Sequence, residues 1–412
     1  MIDVTINIKR ILEQLINVCT IFLFSSFFIF ESYTWGKYIL IGVSALVFIL
    51  YVIYKGPQTK IYIGAWHLFI FIFSIVCLLT TLVAIQPSDS IGKFKFLIQI
   101  LLCFTPIYTY YGDGDKIEDL LNVIKWTGYL VAIYSIGFYG LDFVLSMLKS
   151  SVRLENSYAN VNVIGQISAI AIIIQVYQIL NLKKKSIISC LFMIPTLLMI
   201  LATQSRKAFI LLIMGLFLDY IMSNSSHKKT IKIFLKVLVA VILLIVMIKM
   251  MTKISIFAGI DERMGYLFDS LNGKDGGNSA NLRKELVKVG WNTFLQYPIL
   301  GIGIGCPHII AFRKLSFDAY LHNNYVELLC GGGIIGLCAF YSIYLYLVRS
   351  FLHFSRIDHY GKNICLILMF SFLILEWGKV SCYSKETYFY FMLFFLEIKQ
   401  LKNRWYNDKK VY

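Results

Sequence analysis

Charge is what this 412-residue sequence has least of: 15% of its residues are charged, against 58% that are hydrophobic. A chain so apolar cannot clothe a water-facing surface, which excludes a soluble globular protein. Paired cysteines are missing too. The nine cysteines contain no CxxC pair, and no cluster has metal-ligand spacing, so neither a metal nor another cofactor is expected. Cys19, Cys77, Cys103, Cys190, Cys330, Cys338 and Cys365 fall in apolar segments and read as small packing residues. Only Cys306 and Cys382 sit in loops. The apolar segments lack the strict alternation of a transmembrane barrel, which excludes that class. The N-terminus lacks a small-residue cleavage site, so its first apolar segment is expected to be a retained helix. GIGIG at 301–305 lacks the strand and βαβ context of a nucleotide loop.

What the chain has instead is long apolar runs, each able to cross a hydrocarbon core of about 30 Å. They lie near 13–31, 38–54, 62–85, 94–111, 122–145, 162–180, 187–203, 207–222, 233–251, 323–348, 363–378 and 386–398. Backbone groups cannot stay unpaired in lipid, so the runs must be helices. The fold class expected is an all-α polytopic membrane protein of about twelve transmembrane helices. The net charge of +16 would suit nucleic acid, but its placement argues for orientation. With the N-terminus inside, 21 Lys and Arg fall on the inner side, nine in short outer loops and nine in one long outer loop. Short loops decide the comparison, which places both termini in the cytoplasm and sets the inner excess beside anionic lipid. No nucleic-acid partner is expected.

Residues 1–412 read as a single membrane domain, with one large extracytoplasmic loop, 252–322, between helices 9 and 10. Within it, Leu282, Leu286, Val289 and Phe294 recur at near-helical spacing after Ser279 and before Pro298. They predict an amphipathic helix near 280–296 with Arg283, Lys284 and Lys288 on its polar face, resting on the membrane surface or over a cavity.

Polar groups at the mouth of a span are costly and default to a functional reading. Residues 297–336 run from a Pro/Gly turn to His322, Asn323 and Asn324, then into an apolar helix bearing Glu327 and Gly331–Gly333. On the same side, Ser205, Arg206 and Lys207 interrupt an apolar stretch, while Arg153 precedes a span with Asn160 and Asn162 at its start. Arg206 is either a snorkelling turn residue or an anion clamp. Guanidinium forks hold phosphate oxygens in bidentate fashion, which suits a pyrophosphate-linked lipid or a plain anionic phospholipid. His322, partly desolvated among cations, is expected to stay neutral and able to accept a proton. Glu327 lies about 140° around the helix from it and faces another partner. His308 reads as structural.

These features together resemble the bacterial O-antigen polymerase and O-antigen ligase family over about 153–340. The matching features are Arg153 with Asn162, the Ser205–Arg206 pair, Arg283 on the loop helix with Pro298 and Gly301 after it, and His322 ahead of Gly333. The resemblance implies a metal-independent glycosyltransferase of type C-like architecture in the bacterial cytoplasmic membrane, with its active site extracytoplasmic. It implies a glycan donor on undecaprenyl pyrophosphate, bound by Arg153, Arg206 and Arg283, with His322 catalytic and Asn162, Ser205, Asn323 and Glu327 supporting. Membrane lipid, a flippase and a chain-length regulator are the partners it implies. Polymerase and ligase differ in acceptor. A composition rich in Ile, Lys, Asn, Tyr and Phe points towards a host without lipid A, and so to a capsule or surface-polysaccharide polymerase. A lipid-linked glycan transporter is the competing class. A cell-wall transglycosylase would need an external acidic residue with no counterpart here.

Overall fold

The computed structural model describes residues 2–30, 33, 35–149, 154, 158–184, 186–223 and 278–410. The expected span at 233–251, the first part of the long loop and Arg153 lie outside the described residues. The rest is helical: α1 (Ile2–Ile29), α2 (Gly36–Lys55), α3 (Ala65–Leu79), α4 (Pro87–Gly112), α5 (Ile117–Tyr139), α6 (Leu141–Lys149), α7 (Val161–Asn181), α8 (Ile187–Thr203), α9 (Arg206–Ser223), α10 (Asn278–Gln296), α11 (Pro307–Leu315), α12 (Asn324–His353), α13 (Tyr360–Leu375) and α14 (Lys385–Lys410). Among the described residues seven helices are long and apolar enough to cross a membrane, and α8 and α13 are shorter apolar helices. The protein is an all-α polytopic membrane protein. The apolar run at 122–145 is not one helix: α5 stops at Gly140, which takes φ 85°, and the chain restarts as α6.

Helix α7 is the centre of the bundle, packed by α5, α8, α9 and α13. It is buried nearly all round, as an apolar helix without a polar stripe must be. Its N-terminus is capped by Asn160, whose side chain accepts from the Asn162 N–H at 3.0 Å. Helix α1 packs on α2 and α5, and α3 on α4 and α12.

The segment between α10 and α12 enters the bundle through its backbone. Helix α12 is broken at Gly333, which takes φ 59° and ψ −158°. Into this break run residues 298–304. Ile334 N–H donates to Pro298 O at 2.9 Å, and Ile302 N–H donates to Cys330 O at 3.0 Å. Gly301, also at positive φ, lies so close to α12 that a Cβ would sit 2.5 Å from Cys330 O. The far side of the segment is held by the α3–α4 connection: Ile85 N–H donates to Ile302 O at 3.0 Å, and Ile304 N–H to Thr80 Oγ1 at 3.2 Å. Gly332 and Gly336, a spacing suited to helix–helix packing, instead receive the Ile304 side chain.

At the opposite end of the bundle His359 caps α13 and is fully buried. Its Nδ1 meets Glu397 Oε1 at 2.7 Å, and its Nε2 meets Asp115 Oδ2 at 3.0 Å. Burial alone would lower its pKa, but the two carboxylates outweigh it and raise it to about 9.

Two predictions arise here. Gly333→Ala forces a side chain into the left-handed region and within 2.3 Å of Ile299 O, so it should cost at least about 2 kcal/mol. Gly336→Ala, with its nearest neighbour at 3.5 Å, should cost under about 1 kcal/mol; melting of the purified protein in detergent compares the two. The His359 pair stabilises fully below the unfolded histidine pKa of about 6.5 and is lost as pH rises through 9. This contribution should lower the wild-type melting temperature between pH 7 and 10, and His359→Gln should reduce that dependence.

Candidate functional site

One end of the bundle collects the tops of α4, α7 and α9, helix α10, the segment before α12 and the α13–α14 connection. A cavity of about 280 Å³ opens there. Its polar wall is Asn160 and Asn162 from α7, Lys207 from α9, Arg283 from α10, His322, and Lys379, Lys385 and Glu386 around the start of α14. Four cations thus face one carboxylate. Lys379 Nζ is 3.2 Å from Glu386 Oε1 and donates to Gln166 Oε1 at 3.3 Å. Lys207 Nζ donates to the Gly378 carbonyl, tying α9 to the α13–α14 connection.

His322 sits on a strained backbone, with φ 57°, a conformation that costs a non-glycine residue on the order of 1–3 kcal/mol. Its neighbours impose it. Leu321 N–H donates to Glu327 Oε2 at 2.9 Å, and Asn323 caps α12 by accepting from Val326 N–H at 3.0 Å while its Nδ2 donates to Trp377 O at 3.2 Å. Asn324 Oδ1 accepts from Ser381 and Cys382 N–H groups at 2.9 and 3.1 Å, which shapes the α13–α14 connection. Burial first, then the charges of Arg283 and Lys207, lower the His322 pKa to about 4. The imidazole is neutral at physiological pH, with a proton-accepting nitrogen.

The sequence-proposed residues separate into three groups. Arg283, His322 and Asn162 line this cavity together. Ser205, Asn323 and Glu327 hold backbone or a neighbouring side chain: Ser205 Oγ donates to Asn162 Oδ1 at 2.9 Å, and Glu327 is fully buried against the Leu321 N–H. Arg206 opens α9 but is not among the described residues that line the cavity; its neighbour Lys207 is. Lys379 and Lys385 were not singled out from sequence. A signal for them existed, because they belong to the nine basic residues that loop charge counting assigns to short outer loops, where the positive-inside rule disfavours them.

Beside this cavity lies a larger one of about 740 Å³, walled by Ser88, Asp89 and Lys93 of α4, His308 of α11 and Asp318. Tyr320, His322 and Tyr383 line both and form the wall they share. His308 bridges two carboxylates, Nδ1 to Asp318 Oδ1 at 2.8 Å and Nε2 to Asp89 Oδ2 at 3.0 Å. Burial pulls its pKa down, but the carboxylates raise it overall. Lys93 Nζ stands 4.2 Å from the centre of the Tyr383 ring, a cation–π distance.

Fold and site define a multi-pass helical membrane protein with a cation-walled pocket and a neutral histidine at one end. Residues 189–341 match the family model described as O-antigen ligase. That segment carries Arg283, His322 and the break in α12 at Gly333. No curated protein matches the chain.

If Arg283 holds the His322 pKa down, Arg283→Gln should move it up towards the ordinary value of about 6.5. Mass spectrometry of diethylpyrocarbonate modification across pH reads this directly. The midpoint at His322 should rise in the variant, while that at the partly exposed His308 stays in place.

Proposed function

We propose that the protein is a metal-independent polymerase, joining oligosaccharide repeat units carried on undecaprenyl pyrophosphate into a surface polysaccharide at the outer face of the cytoplasmic membrane. The observation that carries this reading is a neutral His322 on the wall of a four-cation cavity, inside the segment that matches the O-antigen ligase family. The cavity suits a diphosphate: Arg283 can grip two oxygens at once, and Lys207, Lys379 and Lys385 add point charges. An apolar slot lined by Phe28, Ile167, Ile170, Phe372 and Tyr390 shares Gln166, Lys379 and Glu386 with it.

In this reading a sugar hydroxyl attacks the anomeric carbon of the donor and its proton passes to His322. The bond from that carbon to the diphosphate oxygen breaks with its electron pair, and the cations stabilise the departing charge before it forms fully. A bound diphosphate supplies negative charge beside His322, which raises its pKa and makes it a better base when substrate is present. Arg206 and Arg153 remain candidates for outer contacts to the carrier lipid, and a flippase and a chain-length regulator are the partners the reading calls for. The ligase alternative, transfer to lipid A core, uses the same donor chemistry with another acceptor.

Gel profiling of lipid-linked and surface glycan tests it, using a deletion strain restored with native protein or His322→Ala. The native gene should restore long chains, and the variant should leave single repeat units despite normal insertion, a loss of at least about 100-fold for a removed general base. Long chains that stay on the carrier without reaching their acceptor would mark a ligase. An unchanged profile on deletion would leave transport as the better account.

A further inference from the structure

We propose that the 740 Å³ cavity is the acceptor-sugar site, taking a hydroxyl-rich, uncharged glycan end through Asp89 and Asp318 and presenting its attacking hydroxyl to His322 from the side opposite the diphosphate. The inference rests on the glycosyl-transfer reading above and adds to it a second, separate substrate site.

The two cavities are chemically unlike. The smaller faces four cations with one carboxylate. The larger sets two carboxylates against Lys93 and His308, so it offers no net attraction to a diphosphate. Its volume falls within the roughly 300–1,000 Å³ of small-molecule sites. An ionised carboxylate has two oxygens and about four acceptor positions. Asp89 and Asp318 each give His308 one oxygen; Asp89 Oδ1 also accepts from Gln86 Nε2 at 3.3 Å and Ser88 Oγ at 3.4 Å, so Asp318 offers the more open oxygen to sugar hydroxyls. Asp318 is 68% exposed and so open to a ligand. His308 sets the spacing of these two carboxylates, which come from α4 and from the loop after α11. It is a positioning residue. The shared wall adds aromatic faces: the Tyr320 and Tyr383 rings lie 5.6 Å apart and offer apolar surface to the C–H face of a pyranose. Gly305 N–H donates to Tyr383 Oη at 3.0 Å, which fixes that ring.

A two-substrate transfer needs the nucleophile and the leaving group on opposite sides of the reacting carbon. His322, lining both cavities, stands where a hydroxyl from the larger and an anomeric carbon from the smaller would meet. Attack forms the new glycosidic bond, the proton goes to the His322 imidazole, and the diphosphate leaves with the electron pair into the cationic cavity.

Binding to purified full-length protein in detergent separates the sites. The probes are undecaprenyl diphosphate and the repeat oligosaccharide, released from the host's lipid-linked intermediate and reduced to its alditol, which cannot donate. Asp318→Asn and Asp89→Asn should each weaken the oligosaccharide at least tenfold and leave undecaprenyl diphosphate within twofold. Arg283→Gln should do the reverse. Asp318 is exposed, so its variant reports even if Asp89→Asn fails to fold, and His308→Gln should give an intermediate loss. Oligosaccharide affinity unchanged in Asp318→Asn, or native protein that binds the diphosphate but not the oligosaccharide, would overturn the acceptor site and spare the transfer reading. Native protein that binds neither probe would overturn both.

Discussion

The architecture depends on a backbone-to-backbone contact inside the bundle, where residues 298–304 occupy the break in α12 at Gly333. Two surfaces of main chain can approach this closely only where side chains are missing, which is why Gly301 and Gly333 stand on either side of the contact. Backbone groups freed by the break find partners across it: Ile334 and Ile335 N–H donate to Pro298 and Ile299 O, and Cys330 O accepts from Ile302 N–H. The contact fixes the start of α12 relative to α3 and α4. It therefore fixes His322, two residues before that start, relative to the tops of α4, α7 and α9.

From that anchor the charge pattern at this end becomes intelligible. Polar groups that do not face the cavities are used to hold backbone: Glu327 on Leu321, Asn323 on Val326 and Trp377, Asn324 on Ser381 and Cys382. Their combined effect is to keep His322 in a conformation it would not choose, between a cationic cavity and one built on carboxylates. Desolvation and like charge lower the His322 pKa, while a short way off two carboxylates raise that of His308. Two histidines in adjoining cavities are thus shifted in opposite directions, His322 downward by burial first and then by like charge, His308 upward by its two carboxylates.

Much of this was legible in the linear chain. Apolar runs long enough to cross a bilayer gave the helical membrane class, because spanning segments have no other backbone solution. Arg283, Asn162 and His322 could be picked out as polar groups at helix mouths, where desolvation makes them costly. Asn323 and Glu327 were picked out by the same rule, but their role turned on local hydrogen bonds that hydropathy does not encode. Arg206 was more conspicuous in sequence than Lys207, yet the turn at Gln204, with φ 46°, starts α9 so that Lys207 lines the cavity.

By itself the sequence determined the helical membrane class, the uneven distribution of charge between the two ends and the candidacy of His322. Each rests on a one-dimensional quantity, namely hydropathy, loop charge or the position of a polar residue relative to a span. Only the tertiary structure decided which of those charges share a cavity. Asp89 and His308 are 219 residues apart in the chain and 3.0 Å apart in space. Their meeting depends on the glycine-lined contact that seats the 298–306 segment between α3, α4 and α12, a packing outcome that no local periodicity records.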